Sequence, residues 1–320
     1  MKLFVFLQLG PLLLVLRCTA HELMGADFKH ADPVFIDAID IDGTHFYIHD
    51  QAVKLKNGSF TIERQLSADK FDSFVVASAA LKVPQPFDQR HNVDSRNLSV
   101  DFSVVVHPYA RVMIVSALAS GVLRDPTKNY NVLSVGLGTG VVNGFLHDKF
   151  DNVNITVVEL KKQMFEMARN YYGLILDGRQ RVIVEDGLQF LHEHLRSGGA
   201  PFDLIFVDAC HNERRDHLIC PVEAFLEKDN VKLLHNALIG NGTLVVSLLI
   251  LPLQLAEQYT KPIREEFEQC VILSDANLSA NQVLVCGRQV PDKEKLNSEV
   301  MVALEKLGLN NYSYDREDFA

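Results

Sequence analysis

The chain has 320 residues, 48% of them hydrophobic, which is enough to build one large domain with a smaller one beside it. Its formal net charge of −10 repels phosphate backbones and argues against a nucleic-acid partner. Five cysteines stand at spacings that match no zinc motif, so no metal centre is expected.

The first twenty residues read as a secretory leader. Lys2 gives a positive start, Leu3 to Leu16 is almost wholly apolar, and Cys18-Thr19-Ala20 offers small residues for cleavage. The apolar run is too short for a membrane-spanning helix, and Arg17 argues against a lipid anchor at Cys18. The mature chain is therefore expected to be secreted or lumenal, and free of the membrane. Loss of Lys2 and Arg17 leaves 29 basic residues against 41 acidic ones, a net charge of −12. Six Asn-x-Ser/Thr sequons, at Asn57, Asn97, Asn154, Asn241, Asn277 and Asn311, fit a glycoprotein. Four cysteines remain, and an even count in an oxidising compartment allows two disulfides, Cys210–Cys220 and Cys270–Cys286. Four buried thiols would satisfy the same count.

Residues 21–106 form a β-rich region. VFIDAIDIDGTHFYIHD alternates around the hairpin signal Asp42-Gly43, and GSFTIERQL, DSFVVASAA and VDFSVVVH read as further strands, with a polar, irregular stretch from Pro84 to Arg96. PYARVMIVSALASGVL then has helical periodicity, with Pro108 near its first turn. From residue 131 the rhythm changes to alternating strands (131–136, 154–159, 181–184, 203–208, 243–249) and helices (140–149, 161–172, 186–196, 221–238, 252–267). Apolar runs such as DLIFVD suit a parallel sheet covered by helices on both faces. CVILSD and QVLVCG close the sheet as an antiparallel hairpin, and residues 292–307 read as a terminal surface helix. The expected fold is α/β: a Rossmann-like, seven-stranded sheet over residues 107–290, the smaller β-rich region before it, and a C-terminal helix and tail over 291–320.

Function concentrates in VLSVGLGTGVVNGFL. A strand breaks into Gly136, Gly138 and Gly140 and resumes as a helix. A dinucleotide fingerprint needs a small residue three positions after its second glycine, and here that place is Val141. The pattern G-x-G-x-G suits a smaller group, such as the amino-acid end of S-adenosylmethionine. Three acids follow at three successive strand ends: Glu159 after NITVV, Asp186 followed by Gly187 after RVIVE, and Asp208 after FDLIFV. That puts them at one carboxyl edge, where open α/β sheets bind ligands. Asp186 also has the place of a helix N-cap.

These stretches, with VVEL, VEDGL, FVDA and the closing hairpin, resemble the class I S-adenosylmethionine-dependent methyltransferases. More narrowly, residues 107–288 resemble the spermidine-synthase-like branch and the C-terminal domain of the elongation factor 1-alpha methyltransferase family. The resemblance implies S-adenosyl-L-methionine as cofactor. Gly136, Gly138 and Gly140 would hold its methionine part, Glu159 the ribose, Asp186 and Gly187 the adenine, and Asp208 would lie beside the transferring group. Two positions depart from the pattern. Ser134 stands where many such enzymes have an acid, and VDACHN carries one aspartate where aminopropyltransferases have two.

Methyl transfer demands in-line positioning of a neutral nucleophile more than acid–base machinery. Asp208, His211 and Asn212 are the candidate catalytic residues, orienting a protein or small-amine acceptor. A non-catalytic secreted protein that keeps the fold is the competing expectation. Polyamine aminopropyl transfer is disfavoured by the single aspartate.

Overall fold

The computed structural model describes residues 33–55, 58–71, 74–84, 93–274 and 281–309. The leader, the sequons Asn57, Asn277 and Asn311, part of the 84–96 stretch and the tail from 310 lie outside the described residues. Within them no helix is long and apolar enough to cross a membrane.

A small sheet runs in simple order through β1 (Val34–Ile41), β2 (Thr44–Lys54), β3 (Phe60–Ala68) and β4 (Phe74–Ala80), all antiparallel. Asp42 and Gly43 both have positive φ (53° and 75°), as the tight turn of a two-residue hairpin requires. Helix α1 (Pro108–Ala119) follows. It is apolar nearly all round because it is wedged between α8, β10 and β12.

The large sheet is assembled by alternation: β5 (Tyr130–Val135), α2 (Val141–Lys149), β6 (Val153–Glu159), α3 (Lys162–Tyr171), β7 (Gln180–Val184), α4 (Gly187–Arg196), β8 (Phe202–Val207), β9 (Leu218–Cys220), α5 (Lys228–Ala237), β10 (Leu238–Ile250), α6 (Ala256–Tyr259), α7 (Lys261–Glu266), β11 (Cys270–Ser274), β12 (Asn281–Cys286) and α8 (Lys293–Lys306). Its strand order is β11-β12-β10-β8-β5-β6-β7. Strands β10, β8, β5, β6 and β7 are parallel, and the final hairpin is antiparallel. Every residue of β8 is buried, as a central parallel strand requires.

The path of seven strands is the expected one, but short β9 pairs with β10 and makes the sheet eight-stranded. Three other expectations need correction. VDFSVVVH is not a strand: Val100 bridges Leu81, then the Asp101 carboxylate accepts from the Ser103 amide (3.0 Å) and hydroxyl (2.6 Å) and turns the chain. The helix expected over 221–238 is a 3₁₀ turn, Glu223–Leu226, then α5, with Glu227 extended between them, and β10 takes over from Leu238. The helix expected over 252–267 divides into α6 and α7, because Pro262 has no N–H with which to continue the preceding turn.

Both disulfides form. Cys270 and Cys286 face each other directly across β11 and β12, and Cys210–Cys220 closes the loop after β8. Asn97, Asn154 and Asn241 have exposed side chains.

The two sheets are joined by a buried arginine. Arg64 of β3 donates to both carboxylate oxygens of Asp50 (2.8 and 2.9 Å), to the Tyr171 carbonyl at the end of α3 (2.8 Å) and to the Ser95 carbonyl (3.2 Å). Asp50 is fully buried, so its charge is tolerated because this guanidinium faces it. Arg64→Leu leaves that carboxylate uncompensated and is expected to cost about 3–5 kcal/mol of stability. Equilibrium urea unfolding measures this, and a loss below about 1 kcal/mol would contradict the assignment.

Candidate functional site

The tips of β5 and β8 crowd each other. Val135 pairs with Val207, and one residue later a side chain at Gly136 would stand 2.4 Å from the Asp208 carbonyl oxygen. Gly136 therefore turns with φ +94°, a conformation open to glycine. The loop presents the Leu137 amide to Glu159 Oε2 (2.9 Å), while Oε1 of the same carboxylate accepts from the Lys161 amide (2.8 Å). At Gly138 (φ +52°) an added Cβ would meet nothing within 4 Å, so this turn borders open space. Gly140 (φ +76°) is the N-cap of α2.

Of the other expected residues, Asp186 caps α4, its Oδ1 accepting from the Leu188 (2.9 Å) and Gln189 (3.0 Å) amides. Both bonds use one oxygen. Gly187 has a packing role: a Cβ there would stand 2.6 Å from Val135. Asp208 lies in the crevice, lining a small pocket with Met113, Ser134, Gly136, Leu137, Val142, Asn143 and Phe206. The Ser134 hydroxyl donates to the Gly136 carbonyl (3.2 Å), so in place of an acid it steadies the loop. His211 is turned to Glu223, 2.8 Å from its Nε2, and not to Asp208. Asn212 is half-buried in the same loop. The structure thus gathers the glycines, Glu159 and Asp208 tightly, and leaves His211 and Asn212 on the rim.

Two residues at this centre have no motif to announce them. Tyr109 of α1 donates to Asp208 Oδ2 (3.4 Å), and the Ser247 hydroxyl of β10 also bonds that carboxylate. Ser247 is the lone polar residue within the apolar run LVVSLLI, which is a usable signal. Tyr109 is brought in from a helix remote in sequence.

Burial raises the Asp208 carboxyl above its ordinary value, against the hydrogen bonds from Ser247 and Tyr109. Burial also raises Glu159, opposed by the backbone amides of Lys161, Leu137 and Leu160. Tyr109 is pushed well above 10 by burial and by the Asp208 charge. The chain here can bind a ligand's hydroxyl groups at Glu159 and hold a polar or cationic group at Asp208.

No family model matches the chain. It is 28% identical over 161 residues to the eEF1A lysine and N-terminal methyltransferase of Xenopus laevis, covering 50% of this chain and 23% of that one. Human methyltransferase-like protein 13, solved in complex with SAH, superposes with a TM-score of 0.56 at 25% identity, over 63% of this chain and 92% of that chain. This is the spermidine-synthase-like methyltransferase fold. A probable spermidine synthase from Corynebacterium glutamicum superposes over 87% of this chain and 89% of that one, with a TM-score of 0.62 at 14% identity, a likeness of fold alone. The chain spans about a fifth to a third of the length of the curated relatives it matches.

His107, just before α1, packs its ring 5.8 Å from that of Tyr109, and its buried Nε2 has no hydrogen-bond partner among the described residues. Burial, with help from Arg111, lowers its pKa to about 4. A folded-state pKa below the unfolded value means the unfolded chain takes up the proton first. Stability contributed here is full above about pH 6.5 and is lost as pH falls towards 4, by roughly 3 kcal/mol in all. Urea unfolding at a series of pH values should show this slope in the native chain and a flatter one in His107→Phe; parallel slopes would refute it.

Proposed function

We propose that this chain is an S-adenosylmethionine-dependent methyltransferase of the secretory pathway, acting on an amine of a protein acceptor. The observation that carries the reading is the glycine turn after β5: Gly138 faces open space, Leu137 beside it bonds Glu159 at the tip of β6, and Gly136 abuts Asp208 at the tip of β8, the two strands that flank β5. A cradle that a side chain would fill fits the methionine end of the cofactor, and the acids beyond it suit a ribose and an acceptor. The similarity to curated protein methyltransferases supports the same reading. The two disulfides and the exposed sequons support passage through an oxidising, glycosylating compartment.

When bound, S-adenosylmethionine supplies a methyl group activated by its sulfonium. The chain's part is to bind and orient. The backbone of Gly136–Gly140 receives the amino-acid end. Glu159 has lone pairs left after its two amide bonds and accepts from the ribose hydroxyls. Asp208, held by hydrogen bonds from Tyr109 and Ser247, anchors the acceptor nitrogen, and its raised pKa makes it the better proton acceptor. Orientation at short range supplies most of the acceleration.

Calorimetry with S-adenosylhomocysteine tests the cofactor assignment. Gly138→Val is expected to abolish binding while preserving the fold. Glu159→Ala should weaken binding by about 10- to 150-fold, the equivalent of one hydrogen bond to a charged group at roughly 1.5–3 kcal/mol. Absence of binding by the native chain would sink the proposal. Transfer of a labelled methyl group to peptides bearing a lysine or a free N-terminus tests the acceptor class. Asp208→Asn should reduce that transfer with the calorimetric affinity unchanged.

A further inference from the structure

We infer that the Cys210–Cys220 disulfide positions Asp208, and that opening the bond changes how this carboxylate is held. The inference rests on the reading of Asp208 as the acceptor-side carboxylate. Cys210 follows Asp208 by two residues, and its sulfur lies 3.7 Å from Asp208 Oδ1. Tyr109 engages the other oxygen, so the disulfide sulfur flanks the carboxylate on the side away from Tyr109. Cys220 ends β9, which pairs with β10 through Leu249. The bond therefore ties the chain that follows Asp208 to the sheet.

Backbone hydrogen bonds repeat the closure on either side of the sulfurs. The His211 amide donates to the Ile219 carbonyl (2.9 Å), and the Val222 amide to the Ala209 carbonyl (2.8 Å). Between these points residues 214–217 project as an exposed, charged excursion. Three closures across so short a loop leave Asp208 little freedom while the disulfide is intact.

Reduction alters two things at once. A disulfide sulfur carries no proton, whereas a Cys210 thiol can donate to Asp208 Oδ1 and compete there with an acceptor amine. The loop also loses its covalent closure. The step requires a dithiol reductant. One of its thiolates attacks the half-buried Cys210 sulfur, and Cys220, which is buried, leaves as thiolate and takes up a proton. The reductant's second thiol then displaces Cys210 as a thiol, and the reductant departs as a disulfide. The Cys270–Cys286 bond lies across the β11–β12 hairpin, away from the crevice, with Cys286 wholly buried. It serves as an internal control.

The full chain is compared oxidised, after reduction with dithiothreitol, and as the Cys210→Ser/Cys220→Ser and Cys270→Ser/Cys286→Ser variants. The first readout is the carboxyl carbon resonance of Asp208 followed through a pH titration. Its midpoint should fall on reduction and in the first variant, because a new donor and better access to water both favour the charged form. It should stay in place in the second variant. The second readout is methyl transfer: kcat/KM for the acceptor should drop about tenfold while affinity for S-adenosylhomocysteine is retained. An Asp208 midpoint that is the same oxidised and reduced overturns the inference. A midpoint that moves in a chain without methyl transfer to any acceptor upholds it and removes the methyltransferase reading instead.

Discussion

The contact that governs the crevice is the approach of Gly136 to the Asp208 carbonyl. Strands β5 and β8 are parallel neighbours, so their tips emerge side by side, and no side chain fits between them one residue past Val135 and Val207. The chain therefore leaves β5 through a positive φ, which aims the Leu137 amide at Glu159 on the next strand. That bond partly offsets the cost of burying the Glu159 charge, and the same turn brings Gly138 out against open space. One steric exclusion thus fixes the loop, orients one acid and keeps the backbone of the other beneath it.

The small sheet completes the surroundings. Arg64 fixes it to the end of α3, and two surface ion pairs mark where its margins lie: Asp42 meets Lys161, just past Glu159, at 2.6 Å, and Lys70 meets Glu213, in the loop after β8, at 3.7 Å. Exposed pairs of this kind add little stability. They do locate the β1–β2 turn and the end of β3 beside the two rims of the crevice. With α1 bringing Tyr109 inward, the Asp208 side of the crevice is built from chain that precedes the glycine loop.

Much of this was legible in the sequence because it depends on local chemistry. The Asp42-Gly43 turn, the glycine loop and the acids at strand tips are written in consecutive residues, and the apolar runs of β5, β8 and β10 report burial on both faces. What stayed hidden depends on partners distant in the chain. Tyr109 reaches Asp208 across 99 positions, and Arg64 reaches the Tyr171 carbonyl across 107. The divided helices were misread for a different reason. Their apolar periodicity continues through Glu227 and Thr260, whereas the backbone does not, because Pro262 and the extended Glu227 override the pattern. Gly187 was read as touching a ligand, and its smallness also answers to Val135 and Phe225, which pack where a side chain would stand.

The arrangement of acids also bears on what the site would accept. A polyamine carries charges at both ends and is best held by separated carboxylates. Here Asp208 is alone in the pocket, since His211 stands three residues on and is turned outward to the exposed Glu223. A single half-buried carboxylate can anchor one nitrogen, and the raised pKa that follows from its partial desolvation suits it to an amine that must lose a proton before it reacts. The chain's net negative charge would draw cationic segments towards it without specifying which one. On the proposed reading, steering by the whole surface and anchoring by one residue together suit the isolated amine of a larger molecule better than the paired charges of a polyamine.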